Sequence, residues 1–188
     1  MTLKRGFRAE GERTAVAIRE EMGLAPTEPL DLRRVAELKQ VRIVSAEELV
    51  ELDRLVELER LQAFSFSACT FDVKGSKVIV VSPLRDAGRQ NSDIGHELGH
   101  LLLEHELTEI REIAGAPFRT CRSDQEEEAT NLAGILLLPR PLLLGAVAQQ
   151  MSVEDIAREF TVTVEMARFR VNTTGVARQL QRRTERRT

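Results

Sequence analysis

The sequence has three histidines, all between positions 96 and 105. Two of them frame His96-Glu97-Leu98-Gly99-His100. In this H-E-x-x-H pattern, imidazoles four residues apart on a helix lie one above the other and reach one cation. The glutamate beside the first histidine lies near the same face, where it can hold a water next to the metal and take its proton. Counting about 100° per residue from His96 puts His100 at about 40°, Asp93 at about 60° and Glu97 at about 100°. Ile94, Leu98, Leu101 and Leu102 fall at about 140–240°, so an apolar face lies opposite the polar one. A buried helix with one wall of metal ligands has this pattern. His105 falls at about 180° if the helix continues. That reading gives it a place in the core or behind the ligands and excludes it from the metal.

A catalytic zinc takes three protein ligands and keeps one position open. Glu104 lies too far along the helix to close a compact site with His96, so the third ligand must come from another element. Glu126-Glu127-Glu128 opens a second helix ahead of Ala129, Leu132, Ala133, Leu136 and Leu137. With Glu126 set at zero, those apolar positions centre at about 300°. Glu126 then sits at the edge of the inward stripe, Glu128 further off and Glu127 almost opposite. Thr130, one turn on, can support Glu126 or an adjacent histidine. Ser123-x-x-Glu126 also reads as a capping box, and acids suit a helix N-terminus. Periodicity therefore ranks Glu126 before Glu127 and leaves capping open as Glu126's whole role. Two histidines and a carboxylate suit Zn2+, one ion per chain; manganese and iron also fit such a donor set.

The elements that position these residues make an α+β chain. Residues 6–22 read as a helix ended by Gly23, Pro26 and Pro29 as a linker, 30–38 as a second helix and 41–44 as a short strand. Residues 46–62 carry leucines at helical spacing, which predicts a helix packed on the core. Phe64 to Val73 alternates and Val78 to Val81 is an apolar run; Lys74-Gly75-Ser76 between them predicts a β-hairpin. The remainder reads as helical: 91–105, 124–138, a helix after Pro139 and Pro141, and a pair at 152–159 and 163–171.

Hydrophobic residues are 42% of the 188, enough for a real core, and the net charge of -3 predicts neither a nucleic-acid binder nor a membrane-surface protein for the chain as a whole. No stretch approaches the roughly 20 apolar residues of a membrane span. No apolar run follows the basic N-terminal residues, so the protein is expected in the cytoplasm, with Cys69 and Cys121 as reduced thiols. There is no tyrosine, so an oxyanion must be stabilised by an arginine or by the metal alone.

The sequence resembles the ImmA/IrrE family of zincin-like metallo-endopeptidases. The resemblance is carried by His96 to His100, by Arg89-Gln90-Asn91-Ser92-Asp93 before it, and by the run from Glu126 to Pro139. That run follows the family's E-x-x-A-N-x-F-A-x-x-L-L-x-P, with Thr130 where Asn or Asp is usual and Leu132 where Phe is usual. Pro29-Leu30-Asp31, Phe66-Ser67-Ala68 and Asn172-Thr173-Thr174-Gly175 are also family-like. The resemblance implies a minimal gluzincin-type fold with a small sheet, an active-site helix and a helical C-terminal part. It implies zinc held by His96, His100 and Glu126, with Glu97 as the base. Asp93 and Thr130 are expected around the ligands, and Arg170, in the family-like C-terminal segment, is the arginine expected at the oxyanion. It further implies a protein substrate, often a helix-turn-helix repressor encoded nearby in a phage, mobile element or stress circuit. The strand at 64–71 could bind an extended peptide along its edge.

The expected organisation is a metallopeptidase domain at 1–140, a helical segment at 141–175 and a flexible basic tail at 176–188. The alternative is a DNA-binding or protein-binding regulator with a non-catalytic metal. Ser152 to Phe160, the turn Thr161-Val162-Thr163 and a helix to Val171 read like a helix-turn-helix. Arg168 and Arg170 stand on its second helix, together with Glu165. From Arg178 onward five arginines stand against one acid, Glu185.

Overall fold

The computed structural model describes residues 3–63, 65–105, 109–113 and 116–179, with 109–113 and 116–120 as backbone only. The expectations for Phe64 and for the tail from residue 180 lie outside the described residues. Helix α1 (Phe7–Glu21) ends where Gly23 takes φ +72° and Leu24 N–H returns to Arg19 O at 2.8 Å, the turn a glycine permits. Helix α2 (Leu32–Leu38) starts on Asp31, whose carboxylate accepts from Arg33 N–H at 2.9 Å.

Strand β1 (Arg42–Ser45) follows, then helix α3 (Leu52–Leu61), then strands β2 (Ala68–Val73) and β3 (Ser76–Val81). Lys74 and Gly75 both have positive φ, 54° and 84°, which gives the tight two-residue turn that matches strand twist. The sheet order is β1-β3-β2, with β1 parallel and β2 antiparallel to β3. The apolar run of β3 is central and covered on both faces. Ile79 and Val81 join the main core, while Val78 and Val80 join a small cluster with Val44 and Ala46. Strand β2 is one of the two outer strands, and no described strand pairs with its far edge.

Helix α3 departs from the expectation of core packing. None of its residues is buried, and Leu61 is 81% exposed. Only Leu55 reaches the small cluster under the sheet. Leucine spacing makes a face; it does not supply a partner for that face.

Helix α4 (Ala87–Leu102) is capped by Asp86, which accepts from Arg89 N–H at 2.9 Å, so it starts earlier than the apolar pattern suggests. A second departure follows it. The interval between the helices expected at 91–105 and 124–138, to which the sequence pattern assigns no element, includes the antiparallel pair β4 (Glu109–Ile113) and β5 (Ala116–Thr120). Helices α5 (Ser123–Leu137), α6 (Arg140–Ala148), α7 (Val153–Glu159) and α8 (Val164–Thr174) complete the chain. Leu142, Ile156 and Ala167 lie in the same buried cluster as Ile94 and Leu98, so residues 141–175 pack into one core with what precedes them. Among the described residues no single helix is long and apolar enough to cross a membrane.

The C-terminal end of α5 is buried, and a helix end leaves carbonyls without helical partners. Pro139 follows and cannot donate. Two buried arginines fill the gap. Arg19 donates Nη2 to Leu136 O at 2.9 Å and Nε to Glu28 O at 2.9 Å, and burial lowers its guanidinium to about 10, opposed by Glu12. Arg170, 2% exposed, donates Nε to Leu138 O at 3.0 Å and Nη2 to Glu12 Oε1 at 2.6 Å. Glu12 Oε2 accepts from Arg140 N–H at 2.8 Å. Removing one partner of a buried charge pair strands the other. Arg170→Met is expected to lower the unfolding free energy by about 3 kcal/mol, measured by urea denaturation. An unchanged midpoint would show that this network holds nothing together.

Candidate metal centre

Helices α4 and α5 pack against each other through small residues. A Cβ on Gly99 would lie 2.8 Å from Ala129 O, and one on Gly95 would lie 3.3 Å from Ala133 Cβ. The contact sets the first turn of α5 over the histidine face of α4. His96 Nε2 lies 3.1 Å from Glu126 Oε2 and 3.1 Å from His100 Nε2, and His100 Nε2 lies 3.5 Å from Glu126 Oε1. One donor atom from each of the three residues falls within 4.8 Å of the others. Ligands about 2.0–2.1 Å from a tetrahedral zinc stand about 3.3 Å apart. Two imidazoles and a carboxylate are also the donor types that a divalent cation such as zinc takes. The donor set fits a divalent metal on both counts.

Capping is not the role of Glu126. Arg122 N–H donates to Gln125 Oε1 at 3.0 Å, which moves the capping pair one residue back from Ser123 and Glu126. The Glu126 carboxylate is left to face the imidazoles. Hydrogen bonds from His100 and His96 hold it well below the ordinary carboxylate range, against the opposing effect of burial. For His96, burial works against the charged ring, but Glu126, Glu97 and Asp93 outweigh it and raise the pKa. Glu97 stands beside the cluster, and its Oε2 accepts from Thr70 Oγ1 of β2 at 2.6 Å.

Each imidazole is held from behind. Thr130 Oγ1 lies 3.3 Å from His96 Nδ1. His100 is backed by His105, whose position differs from the helical count. Helix α4 ends at Leu102, Glu104 takes φ +53°, and His105 N–H returns to His100 O at 3.0 Å. The turn folds the His105 ring onto His100, with the two Nδ1 atoms 3.0 Å apart. His105 Nε2 lies 3.2 Å from Glu128 Oε2, and Lys4 pairs with Glu128 Oε1 at 3.3 Å. Burial lowers the pKa of His105, as do His100 and Lys4, against Glu128. A neutral His105 can therefore accept from His100 at Nδ1 and donate to Glu128 at Nε2. That assignment leaves the His100 Nε2 lone pair for the metal. Glu128, which periodicity leaves off the inward stripe, is 6% exposed and anchors this chain. A charged residue with a histidine across from it was the signal, but the turn at Glu104 had to be known first.

Two expected residues stand apart from the cluster. Asp93 pairs with Arg89 at 2.9 Å, and burial raises its carboxyl while Arg89 opposes the rise. Arg170 is bound to Leu138 O and Glu12 in the core, so it cannot serve an oxyanion at the metal. Its burial, and its use as a carbonyl cap, carry no signal in the local sequence. Among the described residues neither Cys69 nor Cys121 forms a disulfide; burial and Glu97 push Cys69 up to about 11.

A helix-borne pair of histidines, a glutamate from the next helix and a second glutamate beside them, set under a small mixed sheet, fit the HExxH metal-binding class. The IrrE N-terminal-like domain of the M78 peptidases matches residues 51–172. The chain belongs to this ImmA/IrrE metallopeptidase family, which implies a zincin-like fold. A solved structure described as a Mycobacterium tuberculosis transcriptional regulator is similar in fold, with TM-score 0.53 and 16% identity. The match covers 90% of this chain and 47% of that one, so the chain spans about half its length. No curated protein matches the chain.

Partners that orient a metal-binding histidine contribute about 10–100-fold in metal affinity. His105→Phe is expected to weaken zinc binding by about that factor in a chelator competition. His105→Gln, which keeps an acceptor and a donor, should lose less. Equal affinity in the wild type and His105→Phe would remove His105 from the site.

Proposed function

We propose that the protein is a zinc-dependent endopeptidase that cleaves a protein substrate in the cytoplasm. The substrate class we favour is a helix-turn-helix repressor of a phage, mobile-element or stress-response circuit. The observation that carries the activity is the convergence of His96 Nε2, His100 Nε2 and the Glu126 carboxylate, with Glu97 beside them. His96, His100 and Glu126 would hold the ion. When bound, zinc supplies Lewis acidity for a carbonyl and for a water at neutral pH.

The protein's own groups supply the remaining chemistry. Glu97 takes the proton of the attacking water and returns it to the leaving amine. The Thr70 hydroxyl, 2.6 Å away, fixes the orientation of its carboxylate. Strand β2, which carries Thr70, offers its outer edge to an extended peptide through main-chain hydrogen bonds. One strand would then hold both the substrate and the base.

The rival reading, a DNA-binding regulator, draws on the α7–α8 pair and on the fold likeness to a transcriptional regulator. Against it, Ala167 and Arg170 of α8 are buried, and Arg168 pairs with Glu154 at 3.5 Å. Few groups on α8 are left to read a base edge.

The test is incubation of the zinc-loaded protein with the repressor encoded beside it, with fragments read by mass spectrometry. Glu97→Gln is expected to bind zinc at the wild-type stoichiometry and to release no fragments. Cleavage by this variant at the wild-type rate would exclude Glu97 as the base. Salt-dependent DNA binding that survives removal of zinc, without cleavage, would favour the regulator.

A further inference from the structure

Beside the metal centre, α4, α5 and α8 enclose a cavity of about 400 Å³, within the size range of small-ligand sites. His96 lies in its wall. One ring is therefore shared between the metal cluster and the cavity, so a side chain entering the cavity would lie beside the metal cluster. Ala133 of α5 and Met166 and Phe169 of α8 form apolar walls. Met166 and Phe169 are three apart and share a helix face. Both are only half-buried, unlike their neighbours Ala167 and Arg170. Met166 also packs against the main core, while both side chains line the open space.

The polar groups of the cavity are already committed or sit at its rim. Asp93 is paired with Arg89 at 2.9 Å, and Glu165 is exposed. The adjoining residue Arg170 locks α8 to Leu138 O and Glu12, which keeps the Phe169 wall in place. We infer that this cavity takes an apolar substrate side chain flanking the scissile bond, with Met166 and Phe169 as its specificity-determining walls. The inference rests on the peptidase reading and adds the class of residue selected. It also gives the second helix of the helix-turn-helix-like pair a task in substrate choice.

The probes are N-acylated leucine hydroxamate and N-acylated glycine hydroxamate, titrated by calorimetry against the zinc-loaded protein. The hydroxamate seeks the metal, and only the leucine compound carries a side chain for the cavity. The leucine compound is expected to bind about tenfold tighter or more, the scale of a filled apolar pocket. Phe169→Ala and Met166→Ala are each expected to shrink that ratio to about threefold or less, with the affinity of the glycine compound unchanged. Two separate variants keep the test open if one folds poorly. Equal binding of both compounds by the wild type overturns the pocket and leaves the metal centre standing. An undiminished ratio in both variants overturns the assignment of the walls. Failure of both compounds to bind overturns the metal reading, and the pocket with it.

Discussion

The close approach of α4 to α5 is the constraint on which the site depends. Gly95 and Gly99 lie one turn apart on α4, and they meet Ala133 and Ala129, one turn apart on α5. A methyl group on Gly99 would meet the Ala129 carbonyl at 2.8 Å and push the helices apart. His100 follows Gly99 directly, and Glu126 lies one turn ahead of the Thr130 that meets His96. Spreading the helices would therefore separate the carboxylate from both imidazoles. Ile94, Leu98, Leu132 and Leu136 around this seam are all 2% exposed or less, and burial of each contributes about 1.5–3 kcal/mol. Apolar packing thus holds two imidazoles and a carboxylate, the candidate ligands, close together.

The seam also needs its far end secured. Helix α5 runs into the core and stops at Leu137, before Pro139. The carbonyls of Leu136 and Leu138 are taken by Arg19 from α1 and Arg170 from α8. Burying two guanidiniums is costly, and here the cost is offset by carbonyl acceptors and, for Arg170, by Glu12. The same two contacts fasten the N-terminal helix and the C-terminal helix pair to the helix that carries Glu126. Elements far apart in sequence thereby share responsibility for one carboxylate.

The parts legible in the sequence are those governed by helical periodicity. Counting along α4 separates His96, His100 and Glu97 from Ile94 and Leu98, as burial does; counting along α5 picks out Glu126, which meets the imidazoles, but misses Glu128, the acid that is buried. What stayed hidden depends on tertiary partners or on rare backbone states. Glu104 adopts φ +53° with no glycine or asparagine to announce it, and that one residue brings His105 behind His100. Arg170 reads as a surface or oxyanion charge until Leu138 O and Glu12 are found beside it. The leucines of α3 look like core because spacing cannot tell a buried stripe from an uncovered one. Strands β4 and β5 escaped because nearby helical patterns dominate that half of the chain.

The most direct measurement is anomalous diffraction at the zinc edge from crystals grown with one equivalent of zinc. One peak is expected, within bonding distance of His96 Nε2, His100 Nε2 and a Glu126 oxygen, with His105 and Glu128 behind His100 and Glu127 outside the coordination sphere. A peak ligated through Glu127 or His105 in place of Glu126, or zinc bound only away from α4, would contradict the centre described for this protein.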